Sequence, residues 1–180
     1  MEKQIQESEK KGAIIGIGNV LQKDDGIGVK ILKYLETTYN FPENIELIDG
    51  GTTGAALQTS IMGKHWLLII DALAVQGMPG DIQMLSGHDF IDMPADVKLS
   101  PHQMSFFDLI QFMTFNGTGA EEFSILGVIP EDTGVGTEIT PSVDESVGKA
   151  AETLISWLNK KGIMPEPASE KAEPDYWWLK

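Results

Sequence analysis

The chain has 180 residues, a length typical of one domain and sufficient to bury a substantial core. Its formal net charge of −14 disfavours nucleic acid and anionic membranes as partners. By itself this charge indicates solubility, and it is also compatible with binding cations or a basic segment of a partner protein. The absence of cysteine excludes disulfides, thiolate metal sites and a cysteine nucleophile.

The first half of the chain alternates predicted strands and helices. Residues 1–11 are polar and lack the apolar core of a signal peptide. A strand is predicted at 13–17, a helix at about 25–38 and a second strand at 45–48. A turn-rich loop over 49–54 and a short helix over about 55–62 complete this half.

The next segment begins with a continuous apolar run. Residues 66–70 are typical of a central strand covered on both faces, and Asp71 stands at its carboxyl end. The whole run to Val75 is too short to span a bilayer, so we expect a cytoplasmic protein with no membrane partner. A short strand at 81–85 and a loop-like stretch at 86–99 follow.

The second half repeats the alternation. Ser100 is a predicted cap for a helix that runs to about Phe115. A buried strand at 123–129 and a loop at 130–138 precede a last amphipathic helix that opens at Thr140 and ends near residues 159–162. The pattern predicts an α/β fold, a mostly parallel twisted sheet with helices on both faces.

We predict a single domain over residues 1–162 and a proline-containing tail over 163–180. The tail ends in the aromatic sequence Tyr176-Trp177-Trp178-Leu179. Either it is unstructured or it docks on the body or on a partner.

The loop after the first strand contains Gly16-x-Gly18, but it does not match a dinucleotide fingerprint. The third small residue that such a fingerprint needs is replaced by Leu21. Asp24 and Asp25 then stand where a pyrophosphate would bind, and they would repel it. There is no Walker sequence either, so nucleotide binding is disfavoured.

A metal site fits the same loop better. Asp25 and Asp71 both follow predicted strands, at the edge where open α/β sheets bind ligands. His102 lies in the first turn of a helix, where the dipole favours the neutral imidazole that a metal requires. Together they are a mixed oxygen and nitrogen set suited to nickel, zinc or iron. The alternatives are that Asp24 or Asp25 caps a helix and that His102 is a surface residue.

Other candidates have weaker support. Asp49 ends the second strand and either orients a substrate or a metal ligand, or caps the glycine-rich turn. His65 is expected to be structural and His88 solvated. A Gly-x-Ser-x-Gly elbow is missing, which disfavours a serine hydrolase, whereas aspartic-type acid–base chemistry by Asp25 and Asp71 stays open.

Five motifs occur in order: Gly16-Ile17-Gly18-Asn19-Val20-Leu21 leading to Asp24-Asp25-Gly26-Ile27-Gly28, Asp49-Gly50-Gly51-Thr52, Ile70-Asp71-Ala72, Ser100-Pro101-His102-Gln103 and Gly127-Val128-Ile129-Pro130. With these motifs the chain resembles the hydrogenase maturation endopeptidases, over about residues 13–158. The resemblance implies a three-layer α/β/α sandwich with a five-stranded sheet. It also implies that Asp25, Asp71 and His102 are the metal-binding residues, although some members have glutamate at the position of Asp25.

The resemblance further implies a peptidase that removes a carboxyl-terminal peptide from the nickel-loaded precursor of the [NiFe] hydrogenase large subunit. The expected metal is the precursor's own nickel, although zinc or cadmium could also occupy the site. Either the trio recognises that nickel, or it binds a metal whose coordinated water attacks the peptide bond. A non-catalytic, nickel-dependent binding module or chaperone for the large subunit is the alternative function, and we expect a monomer.

Overall fold

The protein is represented by a computed structural model that describes residues 10–92, 101–170 and 172–180. The strands are β1 (Gly12–Ile17), β2 (Tyr39–Asn40), β3 (Ile45–Gly51), β4 (Trp66–Ala72), β5 (Ile82–Ser86), β6 (Glu122–Val128) and β7 (Glu166–Pro167). The α-helices are α1 (Ile27–Thr38), α2 (Gln58–Ile61), α3 (Gly87–Ile91), α4 (Pro101–Phe115), α5 (Pro141–Asp144) and α6 (Ser146–Lys160). Short 3-10 turns cover Lys23–Gly26, Ala55–Leu57 and Trp177–Leu179.

A five-stranded sheet in the order β3-β1-β4-β6-β5 forms the centre of the described residues. The first four strands of this order are parallel, and β5 pairs antiparallel with β6. All seven residues of β4 are buried, as its continuous apolar run predicts for a strand covered on both faces. The predicted α/β class with a mostly parallel sheet is therefore confirmed.

The two faces of the sheet carry separate hydrophobic cores. On one face, β4 packs Leu68 and Ile70 together with residues of α1 and α6 such as Leu154. On the other face, β4 packs Leu67 and Ile69 together with residues of α4. Successive strand residues point to opposite faces, so one strand serves both cores and the molecule has three layers.

Two local predictions were wrong. The stretch after β5, predicted as loop, contains α3, because Ser86 and Asp89 cap it reciprocally through bonds to each other's backbone N–H, 3.2 and 3.1 Å long. The last helix, predicted as one, is divided at Glu145 into α5 and α6. The predicted Ser100 cap lies outside the described residues.

The described part of the tail packs against the body. Strand β7 pairs antiparallel with β2, and the Ala168 N–H donates to the Thr38 carbonyl over 2.9 Å. Trp178 is only 8% exposed near the chain's end. The tail is therefore docked on the body rather than unstructured, while the domain boundary at residue 162 stays a prediction. Within the described residues, no helix is both long and apolar enough to cross a bilayer.

Candidate functional site

Asp25 lies in the 3-10 turn between β1 and α1. Its side chain is 6% exposed, and its Oδ2 accepts a hydrogen bond from the Asn19 N–H over 2.9 Å. Gly18 makes this loop possible: it has a φ of +131°, and a Cβ there would lie 1.9 Å from the Asp25 carbonyl oxygen. The glycine of the first motif therefore allows the loop to fold tightly against the Asp25 backbone.

Asp71 lies at the carboxyl end of β4 and is 3% exposed. Its Oδ1 accepts a hydrogen bond from the Ala72 N–H over 2.8 Å. By strand alternation it shares its face with Leu67 and Ile69, the face that α4 covers. Strands β1 and β4 are parallel neighbours, and the turn containing Asp25 packs on β4. Both buried carboxylates therefore lie on the side of the sheet where the parallel strands have their carboxyl ends.

His102 is the second residue of α4, and its side chain is outside the described part of the structure. The second turn of α4 packs closely against the loop after β3. A Cβ on Gly54 in that loop would lie 2.4 Å from the Ser105 Oγ, so only glycine fits there. Among the described residues, which do not include the His102 side chain, no three His, Asp or Glu side chains are grouped to hold a metal. The predicted trio stays a prediction.

Asp49 lies on the other face of the sheet, among residues that pack against α1. Its Oδ2 is 3.8 Å from the Lys33 Nζ, and its Oδ1 accepts a hydrogen bond from the Gly51 N–H over 3.2 Å. The structure does not bring it together with Asp71. It caps the glycine-rich turn, as one of the two alternatives predicted, and a substrate-orienting role stays a prediction.

Asp24 is the residue whose role the sequence did not indicate. It is fully buried, and its carboxylate accepts four hydrogen bonds from the segment 131–140. The donors are the N–H groups of Glu131 and Asp132, each at 2.9 Å, and the N–H and hydroxyl of Thr140 at 2.7 and 2.8 Å. Asp24 therefore fastens the loop after β6 to the turn that carries Asp25.

Further bonds join the same two loops. The Lys23 N–H donates to the Gly136 carbonyl over 2.9 Å, and the Gly136 N–H donates to the Leu21 carbonyl over 3.0 Å. A hydrogen bond between the Lys23 ammonium and the Asp132 carboxylate, 2.5 Å long, raises the pKa of Lys23 and lowers the pKa of Asp132. These contacts hold Lys23 at a φ of +45°, a conformation that a non-glycine residue rarely adopts.

The two remaining histidines are outside this arrangement. His65 directly precedes β4 at the opposite end of the sheet, and its N–H donates to the Lys11 carbonyl over 2.8 Å. His88 is exposed on α3, with its Nδ1 3.1 Å from an Asp92 carboxylate oxygen. The expectation of a solvated His88 is confirmed, because its side chain is 88% exposed. A structural role for His65 stays a prediction.

Comparisons with known proteins agree with each other. A family model described as hydrogenase maturation protease matches residues 29–157. The chain is 31% identical over 155 residues to the hydrogenase 2 maturation protease of Escherichia coli (strain K12), covering 86% of this chain and 94% of that protein. It is 28% identical over 161 residues to the hydrogenase expression/formation protein HoxM of Azotobacter vinelandii, covering 89% and 78%.

The fold is also similar to solved structures. The hydrogenase maturating endopeptidase HybD from E. coli superposes with a TM-score of 0.80 at 31% identity, covering 88% of this chain and 98% of that one. The similarity therefore extends over nearly the whole of both chains.

Proposed function

The chain belongs to the hydrogenase maturation protease family and is a peptidase, and from this premise we propose that it cleaves a carboxyl-terminal peptide from the nickel-loaded precursor of a [NiFe] hydrogenase large subunit. The observation that carries the proposal is the pair of buried carboxylates, Asp25 and Asp71, at adjacent strand ends of this fold. Relatives named as proteases and endopeptidases favour cleavage over a binding module that does not cut.

We assign nickel recognition to Asp25, Asp71 and His102. Carboxylate oxygens and an imidazole nitrogen suit nickel, and also zinc or cadmium, which could occupy the site in purified protein. The backbone N–H groups of Asn19 and Ala72 orient the two carboxylates before any ion arrives. His102 belongs to the first turn of α4, and a neutral imidazole is the form that would bind metal.

The nickel is a component of the substrate in this proposal. When the trio binds it, the precursor segment next to it is held at the edge of the sheet, where water can hydrolyse the peptide bond. The chain lacks an H-E-x-x-H sequence, which favours this recognition role over a resident metal whose water attacks. Aspartyl-type chemistry, a monomeric state and a cytoplasmic location stay predictions.

The test incubates the protein with nickel-loaded precursor and measures the mobility shift of the large subunit. We expect wild-type protein and the His88→Ala control to cleave, and His102→Ala to lose cleavage by at least about a hundredfold. The variant should fold, because Phe106, Leu109 and Met113 anchor α4 in the core. Binding of the precursor by wild-type protein with no shift would refute the protease function; cleavage by His102→Ala would remove His102 from the site.

The role of nickel is tested separately with a chelator. Enzyme treated with chelator and then freed of it should still cleave precursor that already contains nickel. Loss of cleavage, restored by adding a divalent metal back to the enzyme, would contradict nickel recognition and support a resident metal with an activated water.

A further inference from the structure

A shallow groove lies between strand β5 and helix α6, with a volume of about 340 Å³. Met84 of β5 and Trp157 of α6 supply its apolar surface. The half-buried Trp157 ring meets the buried Trp66 ring edge-on, with centroids 5.5 Å apart, so it is held in place from the core side. We call this the β5–α6 groove; its lining includes Met84, Lys149, Glu152, Thr153, Trp157 and Lys160.

Strand β5 borders the groove and is the last strand of the sheet. It pairs with β6 along one side, and no strand of the described residues pairs with its other side. Such an edge strand presents backbone N–H and C=O groups that an added strand can pair with. Ile82 and Met84 pack with the core that contains Leu154 of α6, whereas Leu85 packs with the opposite core. A strand added to β5 would therefore direct every second side chain towards α6 and the groove.

The charges of the groove differ from those of the rest of this acidic protein. Most lysines in the described ranges form an ion pair with a carboxylate. Lys149 and Lys160 form none with the described residues, and both are exposed. Glu152 is the one acidic side chain among the described residues of the lining. The groove therefore carries a local positive charge in a chain whose formal net charge is −14, and it favours an acidic ligand.

The spacing of the two lysines matches an extended segment that lies beside β5. Lys149 and Lys160 are separated along the helix axis by about 16 Å, at a rise of about 1.5 Å per residue. Strand β5 has five residues, which extend over about 17 Å. In an extended segment, side chains four positions apart share a face and lie about 13 Å from each other. Two acidic side chains at this spacing can reach both lysines, because lysine stems are long and flexible.

We propose that the β5–α6 groove binds an extended acidic segment of a partner protein, which adds to the sheet beside β5. On one face the segment carries an acidic, an apolar and a second acidic side chain in succession. Its carboxylates pair with Lys149 and Lys160, and its apolar side chain covers Trp157. A second copy of this chain fits less well, because it would bring the same two lysines to the same edge. Binding of this kind needs neither a metal nor cleavage, so it is independent of the proposed function.

The experiment measures the fluorescence anisotropy of a labelled, capped nonapeptide at low salt. Its central leucine is flanked on each side by one threonine, one glutamate and two further threonines. We expect saturable binding by wild-type protein, and binding about fivefold weaker by Lys149→Gln/Lys160→Gln, because each exposed ion pair contributes modestly. Glu152→Gln should bind about twofold more tightly, since it removes the opposing charge. A peptide with lysine in place of both glutamates should bind wild-type protein at least about fivefold more weakly.

The matched control variant is Lys11→Gln. Lys11 is also exposed and forms no ion pair with the described residues, but it lies outside the groove, directly before β1. It should bind the nonapeptide as tightly as wild-type protein does. All the substituted side chains are exposed, so every variant should keep the native circular dichroism spectrum.

Two isomeric peptides test whether the segment adds as a strand. Each carries N-methyl groups on alternate residues, so that one isomer lacks the N–H donors of one edge and the other isomer lacks those of the opposite edge. A strand beside β5 pairs through a single edge. One isomer should therefore lose binding and the other should keep it.

Four results would overturn the inference. They are no saturable binding of the nonapeptide by wild-type protein up to about 1 mM, unchanged binding by the double lysine variant, an equal loss in Lys11→Gln, and equal behaviour of the two N-methylated isomers. A wild-type dimer, detected by light scattering, that competes with the peptide would instead assign this edge to a second copy of the chain.

Discussion

At the residue scale, the adjacent aspartates Asp24 and Asp25 have different surroundings and therefore different roles. Asp24 is surrounded by donors from the segment after β6, and its carboxylate accepts four hydrogen bonds from that segment. Asp25 lies at the sheet edge with its carboxylate oriented by a local backbone N–H. Asp24 thus helps to fix the position of Asp25, the residue to which we assign nickel recognition.

The loop contacts predict a large effect of Asp24→Asn on stability. The amide NH₂ of asparagine is a donor, so it would face N–H groups that now donate to a carboxylate oxygen. We expect the free energy of unfolding to fall by about 2–4 kcal/mol, measured by urea denaturation. Thr140→Val, which removes one hydroxyl donor to Asp24, should cost about 1 kcal/mol. Equal losses in the two variants would show that the carboxylate is not the centre of the network.

At the scale of elements, the carboxyl-terminal tail contacts both ends of α1. It pairs with β2 near the end of α1, and its aromatic end lies near the second turn of that helix. There the Lys30 Nζ lies 5.1 Å from the Tyr176 ring centroid, and it also forms a 2.5 Å ion pair with Asp144. Tail, helix and α5 are therefore linked by one lysine.

Burial raises the pKa of Tyr176 to about 12, and the nearby negative charge of Asp144 acts in the same direction. The unfolded chain releases this proton near pH 10, so folding retains it to higher pH. The contribution of Tyr176 is fully present below about pH 10 and is lost as pH rises from there towards about 12. We expect urea unfolding of wild-type protein to show this loss in stability. Tyr176→Phe should show a smaller loss, because Tyr39 and Lys23, whose pKa values folding also raises, are still present.

The control for the tyrosine series is Trp177→Phe, which changes an exposed neighbour without removing an ionisable group. It should retain the alkaline loss seen in wild-type protein. If Tyr176→Phe and wild-type protein lose stability in parallel between about pH 10 and about pH 12, then the docked tyrosine does not hold its proton in the folded state.

At the scale of the whole molecule, the two cores depend on one shared sheet. Strand β4 contributes alternate residues to both cores, and its pairing with β1 and β6 joins the parallel strands. Neither helical layer can bury its apolar face without the sheet, so we expect both to unfold together.

This dependence predicts that Leu154→Ala and Met113→Ala, on opposite faces, lower the same unfolding transition. Both side chains are buried, with exposures of 0% and 1%, so each change should cost about 2–5 kcal/mol. Circular dichroism and tryptophan fluorescence should report coincident midpoints in each variant. Two separated transitions, one for each face, would contradict a single cooperative unit.

The order of strands and helices was predictable because its signals are local. Apolar runs and helical periodicity lie within 5 to 15 neighbouring residues of the chain. The short helix α3 was not predicted because Asp89 replaces the Glu or Gln of the usual capping box. The break at Glu145 was not predicted because no glycine or proline stands at that position.

By itself, the sequence determined the α/β class, the position of Asp25 in the loop after β1 and that of Asp71 at the end of β4, since strand ends follow directly from local patterns. Only the tertiary structure decided that Asp24 is a buried acceptor, that Asp49 lies on the face away from α4, and that the tail docks. The physical reason is distance along the chain: the donors to Asp24 lie 107 to 116 residues away, and no local pattern encodes such partners. Short motifs therefore predict the candidate site, whereas long-range contacts hold the loops around it together.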